Sequence, residues 1–450
     1  MAVNPLKKSL RNASRDAIGN AIRRLHRHIS LGRWVGLRNI YAKAYEIKPH
    51  KKLSTIRKRS SLKRQQARDY IAASIFNHCG DGWSLLGRAL NLHIKGDSNS
   101  SVHLAYYAEL RAAMSLLGSE GIGVLNRHHL IVTDTKVELT SGALGTHKFT
   151  WTALEHWANR KLSAETLGKI ISPGSITLSD WSNAFSVSGN LRSIGCSWLK
   201  LWGIDIKHFG EDQVLRNNSS YRPSRILPRT ATPASDSLAF LSELWHMCEP
   251  NPSSRFEEID RYLLRESLAH AYQAVHGVNP RLSSNINIYR SWVEKNIPNL
   301  HLVPAVQSMW VDFLTWRKQP NDSRIIKEAG LFTSVDDPNH HLQVLARATL
   351  LLRIATGISG NLLRKADFTK EELEFWWGPY AVDHGLIGDR TNISDFLDLW
   401  DDIDVALQDI SAWETSQAAA YSYNDLVVNI SQQIFRLSEC ERITLWGLGI

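Results

Sequence analysis

Residues 101–118, SVHLAYYAELRAAMSLLG, decide the fold class. Ser100 or Ser101 can cap a first helical turn, the spacing predicts a helix over 102–117, and Gly118 supplies the stop. Working outward, residues 12–28 place Ile18, Ile22, Leu25 and Ile29 at helical spacing, and 65–76 continues as helix. Residues 130–139 alternate and are β-rich, ending in Ser141-Gly142-Ala143-Leu144-Gly145, which predicts a short hairpin before helix resumes over 152–161.

Further on, Asn217-Asn218-Ser219-Ser220 with Pro223, Pro228 and Pro233 marks 216–236 as a linker or surface loop. Beyond it Phe256, Ile259, Leu263 and Leu264 follow the 3.6-residue period. Asn339 caps a helix over 340–354 ended by Gly357. Thr369 with Glu372 forms a capping box ahead of 373–377, which Gly378-Pro379 terminates. The expected architecture is mainly α and multi-domain. It comprises a basic helical arm (1–68), a central helical domain with a β-hairpin (69–215) and a C-terminal helical domain (237–450).

Charge divides the chain. Residues 1–68 hold nineteen Lys and Arg against Asp16 and Glu46, a net of +17, which leaves −8 on the remainder. Such an arm can neutralise several phosphates, so nucleic acid, RNA or DNA, is the expected partner. The candidate contacts are Arg23, Arg24, Arg27, Arg57, Lys58, Arg59, Lys63, Arg64 and Arg68, with Trp34 as a base-stacking surface. Three other readings stay open. The arm could instead dock on the acidic stretch Asp395, Asp398, Asp401, Asp402 and Asp404, giving an autoinhibited protein–protein adaptor; it could be a transit-type leader; or it is a solvated basic face with no specific partner.

Cys79, Cys196, Cys248 and Cys440 lie far apart, so no metal is expected through them, and scattered thiols suit a reducing cytoplasm. The most apolar stretch, 342–358, is interrupted by Arg347 and Arg353, which argues against a membrane span. No Walker loop, dinucleotide fingerprint, nucleophile elbow or zinc helix is present, so no cofactor is expected.

The Ala105-Tyr106-Tyr107 helix, with Thr146-His147 downstream, resembles the HEPN superfamily of all-α domains common in prokaryotic defence and toxin systems. The resemblance covers about forty residues. It implies a four- or five-helix bundle, often dimeric, with metal-independent RNase activity in active members. In them an Arg and a His four to six residues apart do the chemistry. The His takes a ribose 2′-hydroxyl proton and the Arg stabilises phosphorane charge. Arg23/His28, Arg88/His93 and Arg265/His270 have that spacing. Arg265 best fits the pattern because Glu266 gives the polar follower; Ala89 after Arg88 departs from it. The resemblance frames the functional expectation: a nucleic-acid-binding component of a prokaryotic defence or genome-maintenance complex, with a HEPN-type RNase as the enzymatic alternative.

A second polar group is His103, Tyr107 and Arg111, which share one helix face at i, i+4 and i+8. His128, His129 and His147 flank the expected hairpin. Together they form either a phosphate or proton-shuttling site or a set of satisfied core groups.

Overall fold

The computed structural model describes residues 5–42, 61–126, 128–140, 144–187, 206–221, 232–251, 254–316, 322–331, 333, 337, 339–387, 395–417 and 420–449. Among the described residues lie 18 α-helices and one small antiparallel sheet, so the chain is mainly α. Helices α1 (Pro5–Arg11) and α2 (Arg15–Ile29) precede the long α3 (Ser61–Ile94) and α4 (Ser98–Ser119). Strands β1 (Ile122–Gly123), β2 (Leu130–Val132) and β3 (Val137–Leu139) follow. Then come α5 (Thr146–Ala158), α6 (Lys161–Ile170), α7 (Leu178–Ala184), α8 (Ile206–Tyr221) and α9 (Ala234–Met247). Helices α10 (Glu257–His276), α11 (Ile286–Asn296), α12 (Pro304–Leu314) and α13 (Arg324–Gly330) lead to α14 (His340–Lys365). The chain closes with α15 (Glu374–Asp383), α16 (Phe396–Thr415), α17 (Tyr423–Asn429), α18 (Ser431–Leu437) and a 3₁₀ turn, Cys440–Leu445.

Helix α14 is the axis of the fold. By length and composition it could cross a membrane, yet 94% of its most apolar stretch is buried inside the protein. It packs on α4, α3 and α13, while α3 and α4 pair along their lengths and the 440–445 turn lies on α3. Close approach there depends on small residues. A Cβ on Gly87 would sit 2.5 Å from the Glu441 Cα, so only glycine admits that backbone contact. Trp83 is fully buried and donates its indole N–H to Thr356 Oγ1 on α14 at 2.8 Å.

The arginines that interrupt the apolar run are buried and each meets an aspartate. Arg347 donates through Nε and Nη2 to Asp212 of α8 at 3.0 and 2.7 Å. Arg353 donates likewise to Asp260 of α10 at 2.9 and 2.7 Å, and Asp260 also accepts the Ser172 backbone N–H at 2.9 Å. Bidentate pairing of this kind satisfies a guanidinium that could not otherwise leave water.

Apolar side chains of the arm, central and C-terminal segments join in one continuous cluster. From the arm, Leu10, Ile18, Ile22 and Leu25 are buried in it, so α1 and α2 are part of the core.

Several boundaries differ from the sequence-based expectation. The cap of α4 is Asp97, whose carboxylate accepts the Ser100 N–H at 3.1 Å, so the helix starts earlier than the two serines suggest. Gly357 does not end α14. It sits where a Cβ would lie 2.9 Å from the Ile170 Cβ, a close contact and not a stop. Helix α15 runs through Pro379, with Trp377, Gly378 and Ala381 buried around it. Asn217 to Ser220 belong to α8, so the first part of the 216–236 segment is helix, while 222–231 lies outside the described residues. The hairpin turns at 133–136, where Thr133 N–H donates to the Lys136 carbonyl at 2.8 Å, and β1 adds a third strand. Two residues of β1 are too few to show a period in sequence.

Removing one partner of a buried ion pair leaves the other uncompensated. Asp260→Ala is therefore expected to cost about 3–5 kcal/mol of stability, measured by urea unfolding. A loss below about 1 kcal/mol would show that Arg353 finds another partner.

Candidate nucleic-acid interface

The basic face is built by α1 and α2. Ser14 caps α2 by accepting the Ala17 N–H at 3.1 Å, and its hydroxyl hydrogen-bonds Asp134 in the β2–β3 turn. That contact fixes the start of the helix on the sheet. Ala17, Ile18, Ala21, Ile22, Leu25 and Ile29 then point inward, which turns the cations outward.

Acids of the same region answer some of these cations. Asp69 accepts from Arg24 at 2.7 Å and from Arg27 at 3.3 Å. Arg15 pairs with the buried Glu120 at 2.5 Å, which also accepts the Trp157 indole N–H at 3.0 Å. Arg64 donates to the Thr135 carbonyl at 3.2 Å, and Arg68 to the Thr133 and Asp134 carbonyls at 2.9 and 3.1 Å. Lys7, Lys8, Arg11 and Arg23 are exposed. Arg23 donates to the neutral Asn20 side chain at 2.8 Å.

A cleft of about 570 Å³ opens between the α1–α2 junction and the β2–β3 turn, lined by Arg11, Arg15 and Lys136 as well as Asp16 and Asp134. Cations from other stretches of chain crowd the same surface. The His156 pKa is lowered by burial and then by Arg160, Arg11 and Lys7. Burial, followed by Lys169 and Arg15, lowers the Lys365 ammonium. Burial, then Arg24 and Arg64, lowers Arg68. In each case burial is the larger cause and the neighbouring cations add to it. Lys136 and Lys169 are single basic residues, and Arg160 and Lys365 belong only to the short pairs Arg160-Lys161 and Arg364-Lys365, so no strong local signal points to them.

Trp34 is placed differently from the expectation of a stacking surface. Its ring is 8% exposed, stacks on Phe76 with centroids 5.0 Å apart, and meets the edge of Phe375 at 5.2 Å. An aromatic amid a basic sequence is packed here because its apolar area outweighs any stacking use. Arg57, Lys58 and Arg59 lie outside the described residues, as does the Lys63 side chain, whose backbone is in α3.

The Arg/His pairs are separated by their partners. Arg88 pairs with Glu441 at 2.8 Å, while His93 is 1% exposed and meets His341, Nδ1 to Nε2, at 2.8 Å. Arg265 is buried against Asp322 at 2.6 Å, and His270 is half-buried. Five residues along an α-helix turn about 140° around its axis, so Arg265 and His270 face different ways. Arg23 is exposed, whereas burial and then Arg27 lower the His28 pKa.

The second polar group is partly assembled. His103, Tyr107 and His147 converge with Tyr106 and with Arg216 of α8. Arg111 turns instead to His78 at 2.8 Å and Asp81 at 3.4 Å. His128 lies beside His129, whose ring stacks on Phe149 with centroids 3.7 Å apart. Of the acidic stretch, Asp402 pairs with Arg442 at 2.8 Å and Asp404 with His246 at 3.0 Å. Among the described residues no three His, Cys, Asp or Glu side chains group to hold a metal ion.

Comparison with protein families, with characterised proteins and with solved structures returned no match to this chain.

The packing of Trp34 has a measurable consequence. Trp34→Ala is expected to lower stability by about 3–5 kcal/mol in urea unfolding, as truncation of a buried aromatic does. Unchanged stability with abolished nucleic-acid binding would return the ring to the interface.

Proposed function

We propose that this protein binds nucleic acid through the basic face formed by α1, α2, the β2–β3 turn and the adjoining ends of α6 and α14. The observation that carries this reading is a set of cations brought together from distant stretches of chain: Arg11, Arg15 and Lys136 line one polar cleft, Arg11, Lys7 and Arg160 lie near His156, and Arg15 and Lys169 lie near Lys365, with Lys136 also paired to Glu138. A duplex or folded strand presents closely spaced phosphates, and cations that repel one another in the free protein gain most from meeting them. The expectation of a component of a prokaryotic defence or genome-maintenance complex extends this reading through the HEPN resemblance. Nothing in the placement of Arg88, His93, Arg265 and His270 adds support to the RNase alternative.

Phosphate contact also explains the division of labour on α2. Ile18, Ile22 and Leu25 anchor the helix in the core, so its exposed arginines stand on a rigid element. A preorganised cationic face loses less conformational freedom on binding than a disordered basic tail does.

Truncating the arm would expose the core it helps to build, so charge neutralisation is the cleaner test. Lys7, Arg11 and Lys169 are exposed, the first two on α1 and the third on α6. The triple Gln variant is expected to unfold at the wild-type urea midpoint and to bind oligonucleotide at least ~10-fold more weakly. The slope of log affinity against log salt should fall by about 2 to 3, near 0.9 for each phosphate that is no longer neutralised. Fluorescence anisotropy across salt concentrations reads both quantities. Equal affinity and an equal slope would contradict the proposal.

A further inference from the structure

Arg216 differs from four other packed arginines. Arg347, Arg353, Arg265 and Arg442 each meet a carboxylate, respectively Asp212, Asp260, Asp322 and Asp402. Arg216 donates to the Asn217 side chain at 2.8 Å and to the Tyr107 hydroxyl, and its guanidinium lies 4.9 Å above the Tyr107 ring. Its Nε is buried and has no partner among the described residues. Among the described residues its side-chain hydrogen bonds go to neutral groups, and Asp212 one turn earlier is held by Arg347, so the guanidinium retains capacity for a further anion.

Two imidazoles flank this cation. The His103 ring is 5.1 Å from the Tyr107 ring and the His147 ring 6.1 Å from it. Burial and then the Arg216 charge lower both histidine pKa values, so both rings are neutral at neutral pH.

Hydrogen bonds bear on which nitrogen of each ring carries the proton. The Tyr106 hydroxyl accepts the Trp151 indole N–H at 3.4 Å and hydrogen-bonds His147 Nδ1 at 2.7 Å. With the phenol as donor in the second contact, His147 Nε2 bears the hydrogen. Ser220 donates its hydroxyl to the Arg216 carbonyl at 2.8 Å, so His103 Nδ1 is the donor in its 3.0 Å contact with Ser220. That leaves a lone pair on His103 Nε2.

We infer that Arg216, His147 and His103 form an oxyanion site for a phosphate monoester, the phosphoryl group of a nucleotide or of a phosphorylated strand end. Arg216 supplies the charge and N–H donors. His147 Nε2–H adds a neutral donor, and His103 Nε2 accepts the hydrogen of a singly protonated phosphate. The Tyr107 ring holds the guanidinium in place beneath the group. A carboxylate would use the donors but leave the His103 lone pair without a hydrogen, so a protonatable phosphate matches the set more fully. The site is separate from the basic face, and it stands whether or not that face binds nucleic acid.

The test is a titration of the full chain with uridine 5′-monophosphate, inorganic phosphate and uridine, followed by the imidazole proton resonances of His103 and His147. The nucleotide is expected to shift both resonances with a dissociation constant of about 1 mM or below, and uridine to shift neither. Inorganic phosphate as tight as the nucleotide identifies free phosphate as the ligand; a tighter nucleotide identifies the ester. Arg216→Gln should weaken binding about 10-fold or more, as loss of a charge-assisted hydrogen bond does, and Arg216→Lys should retain part of it. The Lys7, Arg11, Lys169 triple Gln variant should bind the nucleotide as wild type does. Uridine binding as well as the nucleotide, or full affinity in both Arg216 variants, would overturn the inference. Should Arg216→Gln fail to fold, Arg216→Lys and the uridine comparison still decide it.

Discussion

Helix α14 brings Arg347 and Arg353 into an apolar interior, and neither charge can stay there unanswered. Asp212 and Asp260 meet them with paired hydrogen bonds, and these contacts tie α8 and α10 to the central helix. Arg347 also lies 3.8 Å from Glu109 of α4. Burial and the Asp212 charge raise the Glu109 pKa well above the usual carboxylate range, against the pull of Arg347. The basic face and the Arg216 site both hang on this arrangement. Helix α8 presents Arg216 because Asp212, one turn earlier, is anchored beneath it, and the end of α14 delivers Lys365 to the basic surface.

The same two arginines show what sequence could and could not tell. Their presence in 342–358 argues against a membrane span, and the burial of α14 inside the protein accounts for the apolar run. Their partners lie 135 and 93 residues away in the chain, and no local pattern names them. Helical periodicity was legible where a single face was buried, as in α2. It failed at ends set by tertiary contact: Gly357 reads as a stop but is a point of close approach to Ile170.

For the candidate sites the outcome follows the same division. The charge asymmetry of the arm is a property of composition and can be read directly. Which cations are free for a ligand depends on Asp69 and Glu120, whose reach is visible only in three dimensions. Trp34 shows the opposite error, because aromatic residues between basic ones look like stacking platforms until their packing is known. Of the polar group, His103, Tyr107 and His147 do lie near one another, while Arg216 was hidden in a segment whose composition resembles a loop.

On the proposed reading, a basic face assembled from several parts of the chain meets nucleic acid. Ultraviolet crosslinking of a bound oligonucleotide, with the attached peptides identified by mass spectrometry, tests it most directly. Crosslinks are expected in peptides from α1, α2 and the β2–β3 turn, together with the ends of α6 and α14. Crosslinks confined to α16 and α18, or none under conditions where an oligonucleotide binds, would contradict the account.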